Sequence, residues 1–182
     1  MGMAAPLYYS ADMVRALPED GKRYETVHGE LLVTPAPRLW HQEVHRRITG
    51  RLDRYLETQP VGCLFYAPAD ISWGPDVLVQ PDIFVADREE ARTLDWSQVR
   101  TLLLTIEVLS PTTARYDRHT KRRLYQEVGI PFYWIVDPDE KCVEVWTPDA
   151  QFPTVERECV AWRPEGAEVE FVLELEELFR PI

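Results

Sequence analysis

The sequence predicts a mixed α/β domain: a mixed β-sheet flanked by helices, with an extra N-terminal hairpin and extra C-terminal strands. Three observations lead there. Leu39–Thr58 carries one apolar stripe at helical spacing. Thr101–Leu109 is apolar on both faces, as a central strand covered on both sides is. The segment order runs helix, strands, helix, strands, which sets helices against a mixed sheet. A single domain over 1–182 follows from the length of 182 residues, enough to bury a good core.

The elements follow in order. Residues 1–21 read as a lead-in, with Ser10 capping a short helix through Leu17 that Pro18 stops. Arg23–Thr34 reads as a hairpin turning at His28-Gly29. The prolines of Thr34–Arg38 make a loop. In the long helix Trp40, Val44, Ile48, Leu52, Tyr55 and Leu56 form the stripe. Leu64–Trp73 reads as a strand, Gly74–Asp76 as a turn and Val77–Ala86 as the next strand. Pro81 puts a strand end or irregularity at Gln80–Asp82, because proline cannot join a central ladder. Asp87–Arg100 is polar, with a short helix near Trp96. On the Thr101–Leu109 strand, Leu102, Leu104, Ile106 and Val108 share one face, and Leu103 and Leu109 the other. Thr113–Val128 reads as a helix with Gly129 as its left-handed cap and Pro131 beyond it. Phe132–Val136 and Cys142–Thr147 form a strand pair. Strands near Val155–Val160 and Val169–Leu173 and a helix over Glu174–Phe179 complete the chain.

Composition narrows the class. Three widely spaced cysteines, Cys63, Cys142 and Cys159, give neither a disulfide framework nor metal spacing, which points to a reducing, cytoplasmic setting. No apolar run reaches membrane length, no secretory signal is read at the start, and Pro6 stands where a myristoylation motif on Gly2 needs Ser or Thr. The net charge of −11 opposes long-range attraction to phosphate. The charge is uneven, however: Arg115, Arg118, Lys121, Arg122 and Arg123 face one acid, Asp117, between Ser110 and Arg123.

The chemistry centres on Leu78–Tyr125. Asp82 and Glu107 lie in apolar strands, where an unpaired carboxylate is costly. Two such acids with a strand carbonyl, that of Val108, make a hard oxygen site suited to Mg²⁺ or Mn²⁺. Asp117, Lys121, Leu124, Tyr125 and Val128 share one helical stripe, so Lys121 faces the sheet. There it can order or deprotonate a water, or stabilise a pentacovalent transition state. Against this stand blander readings: Asp117–Lys121 as a helix pair worth about 0.2–0.5 kcal/mol, Asp82 as a turn residue, and Glu107 in a structural ion pair. His41 reads as a cap or surface residue, and His28, His45 and His119 as turn or polar-face residues.

Several segments carry a family resemblance: Arg23–Leu31, the helix start at His41, Val79–Ile83, Ile106–Thr112, Asp117 with Lys121, and Gly129–Asp137. In order and spacing they resemble the Uma-type endonuclease family, catalogued as a domain of unknown function, within the restriction-endonuclease-like PD-(D/E)xK superfamily. The resemblance covers residues 18–147. It implies that Pro81-Asp82 is the "PD" and Glu107 the "(D/E)". The pattern puts lysine two residues after the acid, where this chain has Leu109, so Lys121 on the following helix stands in for it. It further implies a Mg²⁺- or Mn²⁺-dependent endonuclease acting on nucleic acid, DNA before RNA, with Asp82, Glu107 and the Val108 carbonyl at the metal. Lys121 is then catalytic, Asp117 orients it, Arg115, Arg118 and Arg122 meet phosphate, and Glu30 is a fourth acid. Superfamily habit adds a homodimer. A non-catalytic binding module on the same fold, or a hydrolase of smaller phosphoesters, are the other readings.

Overall fold

The computed structural model describes residues 8–182. The reading of the first seven residues as lead-in, without secretory signal or myristoylation motif, lies outside the described residues. Helix α1 (Ala11–Arg15) follows Ser10, whose side chain accepts from the Met13 N–H as the cap. Strands β1 (Arg23–Val27) and β2 (Glu30–Thr34) form the expected hairpin. Both turn residues, His28 and Gly29, take positive φ (50° and 82°), as a two-residue turn of this kind requires. Helix α2 (Leu39–Thr58) has the predicted bounds and buries Val44, Ile48, Leu52 and Leu56.

Three expected strands divide. Leu64–Trp73 becomes β3 (Cys63–Tyr66) and β4 (Ile71–Gly74), which join different sheets on either side of Pro68. Val77–Ala86 becomes β5 (Val77–Val79) and β6 (Ile83–Ala86), broken at Gln80–Asp82 where Pro81 has no N–H for a ladder. The polar stretch that follows holds α3 (Arg88–Ala91), capped by Asp87, and a 3₁₀ turn at Trp96–Gln98. Strand β7 (Leu102–Val108) is central, antiparallel to β6 and parallel to β8 (Tyr133–Asp137). A register shift after Val85 moves Leu102 into the core layer of Leu109 and Leu103 against that of Leu104, reversing the simple alternation there.

The helix expected over Thr113–Val128 is not a plain α-helix. Tyr116–Lys121 is a π-helical turn, in which the Arg122 N–H reaches back to the Asp117 carbonyl, and α4 (Arg122–Glu127) continues from it. Gly129 (φ 76°) ends it: its N–H bonds the Gln126 carbonyl and the Ile130 N–H bonds the Tyr125 carbonyl. Strand β9 (Cys142–Trp146) pairs with β8, and the strand expected at Val155–Val160 divides into β10 (Thr154–Glu156) and β11 (Cys159–Trp162). Strand β12 (Phe171–Glu174) pairs with β11, and α5 (Leu175–Leu178) closes the chain.

The mixed α/β architecture is as predicted, and its strands occupy three sheets. The six-stranded sheet runs β10-β9-β8-β7-β6-β3, the four-stranded one β2-β1-β5-β4, and β11-β12 stand apart. Two cores sandwich the large sheet. On one face α2, β11, β12 and α5 cover Ile83, Val85, Leu104, Ile106, Trp134 and Val136. On the other, α4 and the four-stranded sheet cover Phe84, Leu109, Tyr133 and Ile135. Burial of this extent is the main favourable term in folding. Among the described residues, no helix is long and apolar enough to cross a membrane.

Candidate active site

The break at Gln80–Asp82 creates the site. It lifts Asp82 out of the ladder beside β7, at the place where β1, the start of α2 and the π turn meet the sheet. Strand alternation turns Glu107, between inward Ile106 and Val108, toward α4. The π turn brings Lys121 to meet it. Lys121 Nζ lies 2.9 Å from Glu107 Oε1, 3.0 Å from Glu25 Oε1 and 3.8 Å from Asp117 Oδ1, and all four side chains are buried. Tyr125 also donates to Glu107 Oε1, at 3.1 Å, and the Asp82 N–H donates to Glu107 Oε2 at 3.3 Å.

Asp82 is held on every side. Its Oδ1 accepts from Arg23 Nη1 at 2.9 Å; its Oδ2 accepts from the Val108 N–H at 2.9 Å and from His41 Nε2 at 3.2 Å. Its carbonyl accepts from His45 Nε2 at 3.0 Å and from the Ala67 N–H at 3.1 Å. Glu25 Oε1 accepts from the Gln80 N–H at 2.7 Å, which ties β1 to the break, while Glu25 Oε2 is buried without a partner. Asp82, Glu107, Val108 and Asp117 line one wall of a cleft of about 1530 Å³.

Four carboxylates thus face two fixed cations, Lys121 and Arg23, and the surplus acids respond. Burial, reinforced by Asp82, Asp117 and Glu25, pushes Glu107 well above the usual carboxylate range, against the pull of Lys121. Burial and Asp82 push Asp117 up to about 6, again against Lys121. Asp82 goes the other way: burial would raise it, but Arg23 and His41 hold it well below its ordinary value. Burial would lower Lys121, yet Glu107, Glu25 and Asp117 outweigh it and keep the ammonium charged.

The donor chemistry suits a hard divalent cation. Two adjacent carboxylates and backbone oxygen are a Mg²⁺ set, and Mg²⁺ ordinarily keeps several waters and takes only one or two carboxylates. The acids are arrayed around Lys121 rather than one point, and among the described residues no three His, Cys, Asp or Glu are gathered for a metal. Asp82 and Glu107 are the residues that would hold a hydrated ion, and both are engaged by cations of the chain, Arg23 and Lys121.

Of the other predicted residues, Val108 joins this cluster and the rest lie apart from it. Glu30 is exposed at the end of β2, and Glu25 takes the place expected for it as the fourth acid. Arg118 forks onto Asp137 (2.7 Å) and Glu144 (2.8 Å), and Arg122 lies over the Trp146 ring at 4.7 Å, so neither is free for phosphate. Arg115 is exposed. Val108 reaches Asp82 through its N–H. Arg23, Glu25, His41 and His45 escaped the sequence reading. The signals were present: Glu25 is on the same strand face as Val27, and His41 and His45 precede Ile48 and Leu52 at helical spacing, contrary to their reading as cap and polar-face residues.

No curated protein matches the chain. A crystal structure at 1.96 Å resolution, described as "a putative nuclease belonging to DUF820 from Anabaena variabilis ATCC 29413", is 25% identical, with a TM-score of 0.72 over 94% of this chain and 97% of that one. The family model described as "Uma2: Putative restriction endonuclease" matches residues 11–176, and the chain belongs to that family.

Proposed function

We propose that this chain is a Mg²⁺- or Mn²⁺-dependent nuclease that hydrolyses nucleic-acid phosphodiester bonds, those of DNA first. The observation that carries the reading is the convergence of Asp82, Glu107 and Lys121, the two acids lining the cleft and Lys121 reaching Glu107 from behind it, delivered by a π turn. Strained helical turns of this kind recur at functional sites.

Asp82 and Glu107, with the Val108 carbonyl, would hold the ion. Bound there, it would supply Lewis-acid charge and lower the pKa of its water. Lys121 remains an ammonium among its acids, so its part is to orient the attacking water and stabilise the charge developing on phosphate, not to accept a proton. Asp117, near 6 and lining the cleft, has the affinity for a proton that a general base needs near neutral pH. Glu25 and Asp117 hold Lys121 from the sides away from Glu107. Arg115, exposed, is the predicted phosphate contact whose side chain no other group among the described residues holds.

The test is cleavage of plasmid DNA with Mg²⁺ or Mn²⁺ by the wild type, Asp82→Ala and Glu107→Ala chains. Loss of cleavage in both variants is expected; cleavage unaffected by either removes the site assignment.

A second reading is a non-catalytic binding module on the same fold. Arg23 and Lys121 already neutralise Asp82 and Glu107 internally, which a site retired from metal binding would also do. It predicts no nuclease activity with any divalent ion and no metal-dependent stabilisation.

A further inference from the structure

The cleft has a second wall of different character. Tyr66, at the end of edge strand β3, lines it and is 56% exposed. Its ring is nevertheless fixed. His45 meets it edge-on, with ring centroids 5.7 Å apart and planes at 88°. The carbonyl of Asp82 accepts from both His45 Nε2 (3.0 Å) and the N–H of Ala67, the next residue after Tyr66 (3.1 Å). The aromatic face is therefore tied to the backbone of the acid that the nuclease reading puts at the scissile phosphate. The cleft is also lined by Pro35, Pro37, Arg38, Leu39 and Pro68.

Most of the arginines near the site are held by other groups of the chain, with Arg38 in the cleft lining and Arg115 the exposed exceptions. Arg118 is held by Asp137 and Glu144, Arg122 lies on Trp146, and Arg46 and Arg47 both bond Glu43. With a net charge of −11, a run of phosphate contacts along a double helix has little to draw on. Base stacking on an aromatic face does not depend on that charge and tolerates any sequence.

We propose that the site takes an unpaired nucleic-acid strand, with the base beside the scissile phosphate stacked on Tyr66. The inference rests on the nuclease reading only for where the scissile phosphate lies. It also divides the lining by chemistry: Asp82, Glu107 and Asp117 for the phosphate site, Tyr66 and the prolines for bases.

The test is fluorescence anisotropy on the full chain carrying Glu107→Gln, so that turnover does not consume the probe. Three labelled probes of one 20-nucleotide sequence are compared at low salt: single-stranded DNA, single-stranded RNA and duplex DNA. The unpaired probes are expected to bind at least about tenfold tighter than the duplex. Adding Tyr66→Ala is expected to loosen unpaired-strand binding about five- to hundredfold, the range for losing one stacked base, and Tyr66→Trp to preserve it. Because the Tyr66 ring is exposed, the thermal melt should not move with either change. Duplex binding as tight as that of both unpaired probes, or unchanged binding in Tyr66→Ala, overturns the proposal. Cleavage of duplex DNA that needs Asp82 and Glu107 but ignores Tyr66 overturns it while leaving the nuclease reading. Tyr66-dependent capture of single strands by a wild-type chain that cleaves none of them overturns the nuclease reading and leaves this one.

Discussion

Lys121 Nζ lies 2.9 Å from Glu107 Oε1 although the two residues are 14 apart in sequence and sit on a helix and a strand. The contact is buried, and Glu25 and Asp117 share the same ammonium. Lys121→Met therefore strands several carboxylates in an apolar site. Removing one partner of a buried ion pair costs roughly 3–5 kcal/mol. Lys121 has a raised affinity for its proton, so its contribution is fully present below its ordinary value of 10.5 and is lost only above that. At pH 7 urea unfolding should show the full cost. At pH 5 the cost should shrink, because Asp117, raised to about 6, then holds its proton. An equal loss at both values would mean that the acids are not coupled to Lys121.

Asp117 supplies a second, oppositely signed test. Its carboxyl rises from 3.8 to about 6 on folding. A raised group stabilises fully below its unfolded value and loses that contribution as pH climbs through the folded one. Between pH 3.8 and 6 wild type should lose about 3 kcal/mol from this group, at about 1.4 kcal/mol per unit. Asp117→Asn keeps the shape without the charge. It should match wild type near pH 3.5, exceed it in stability above pH 6, and cleave more slowly. A stability difference independent of pH, measured by denaturant titration, would refute the assignment.

Much of this was legible in the sequence, for physical reasons that also explain the misses. Long periodic runs carry their own signal, so the stripe of α2 was readable end to end, and β7 as a double-sided strand except for the faces of Leu102 and Leu103. Glu107 stood out because its flanks are so apolar, and Lys121 because helical phase turns it inward. Sheet membership was not readable: Pro68 and Pro81 mark breaks but do not say that the halves part company. The π turn, a one-residue change in hydrogen bonding, leaves no mark on a periodicity of about 3.6. Glu25 and Glu30 are both acids in a strand pair, and only packing of the four-stranded sheet against α4 distinguishes them.

Arg118 was read as a phosphate contact and is instead clamped by Asp137 on β8 and Glu144 on β9. With 35% of its side chain exposed, such a pair is worth about 1 kcal/mol or less after solvent screening. Arg118→Ala should lower the melting temperature by a few degrees at most and leave kcat/KM for nucleic-acid cleavage within about twofold. A tenfold loss of kcat/KM with an unchanged melt would restore it to the substrate surface.

Metal binding gives the most direct measurement, because it needs no substrate. A ligand that binds only the folded chain, at about 100 times its Kd, adds about 2.7 kcal/mol. For a chain of this length that is roughly 5–10 °C in melting temperature. Mg²⁺ or Mn²⁺ should produce such a shift in the wild type, since a cation at Asp82 and Glu107 relieves the crowding that pushes the Glu107 carboxyl upward. Asp82→Asn and Glu107→Gln should each lose most of the shift. Glu30→Gln, on the exposed end of β2, should leave the shift intact. A metal shift that survives both acid substitutions would locate the ion elsewhere, and no shift at millimolar metal would favour the binding-module reading.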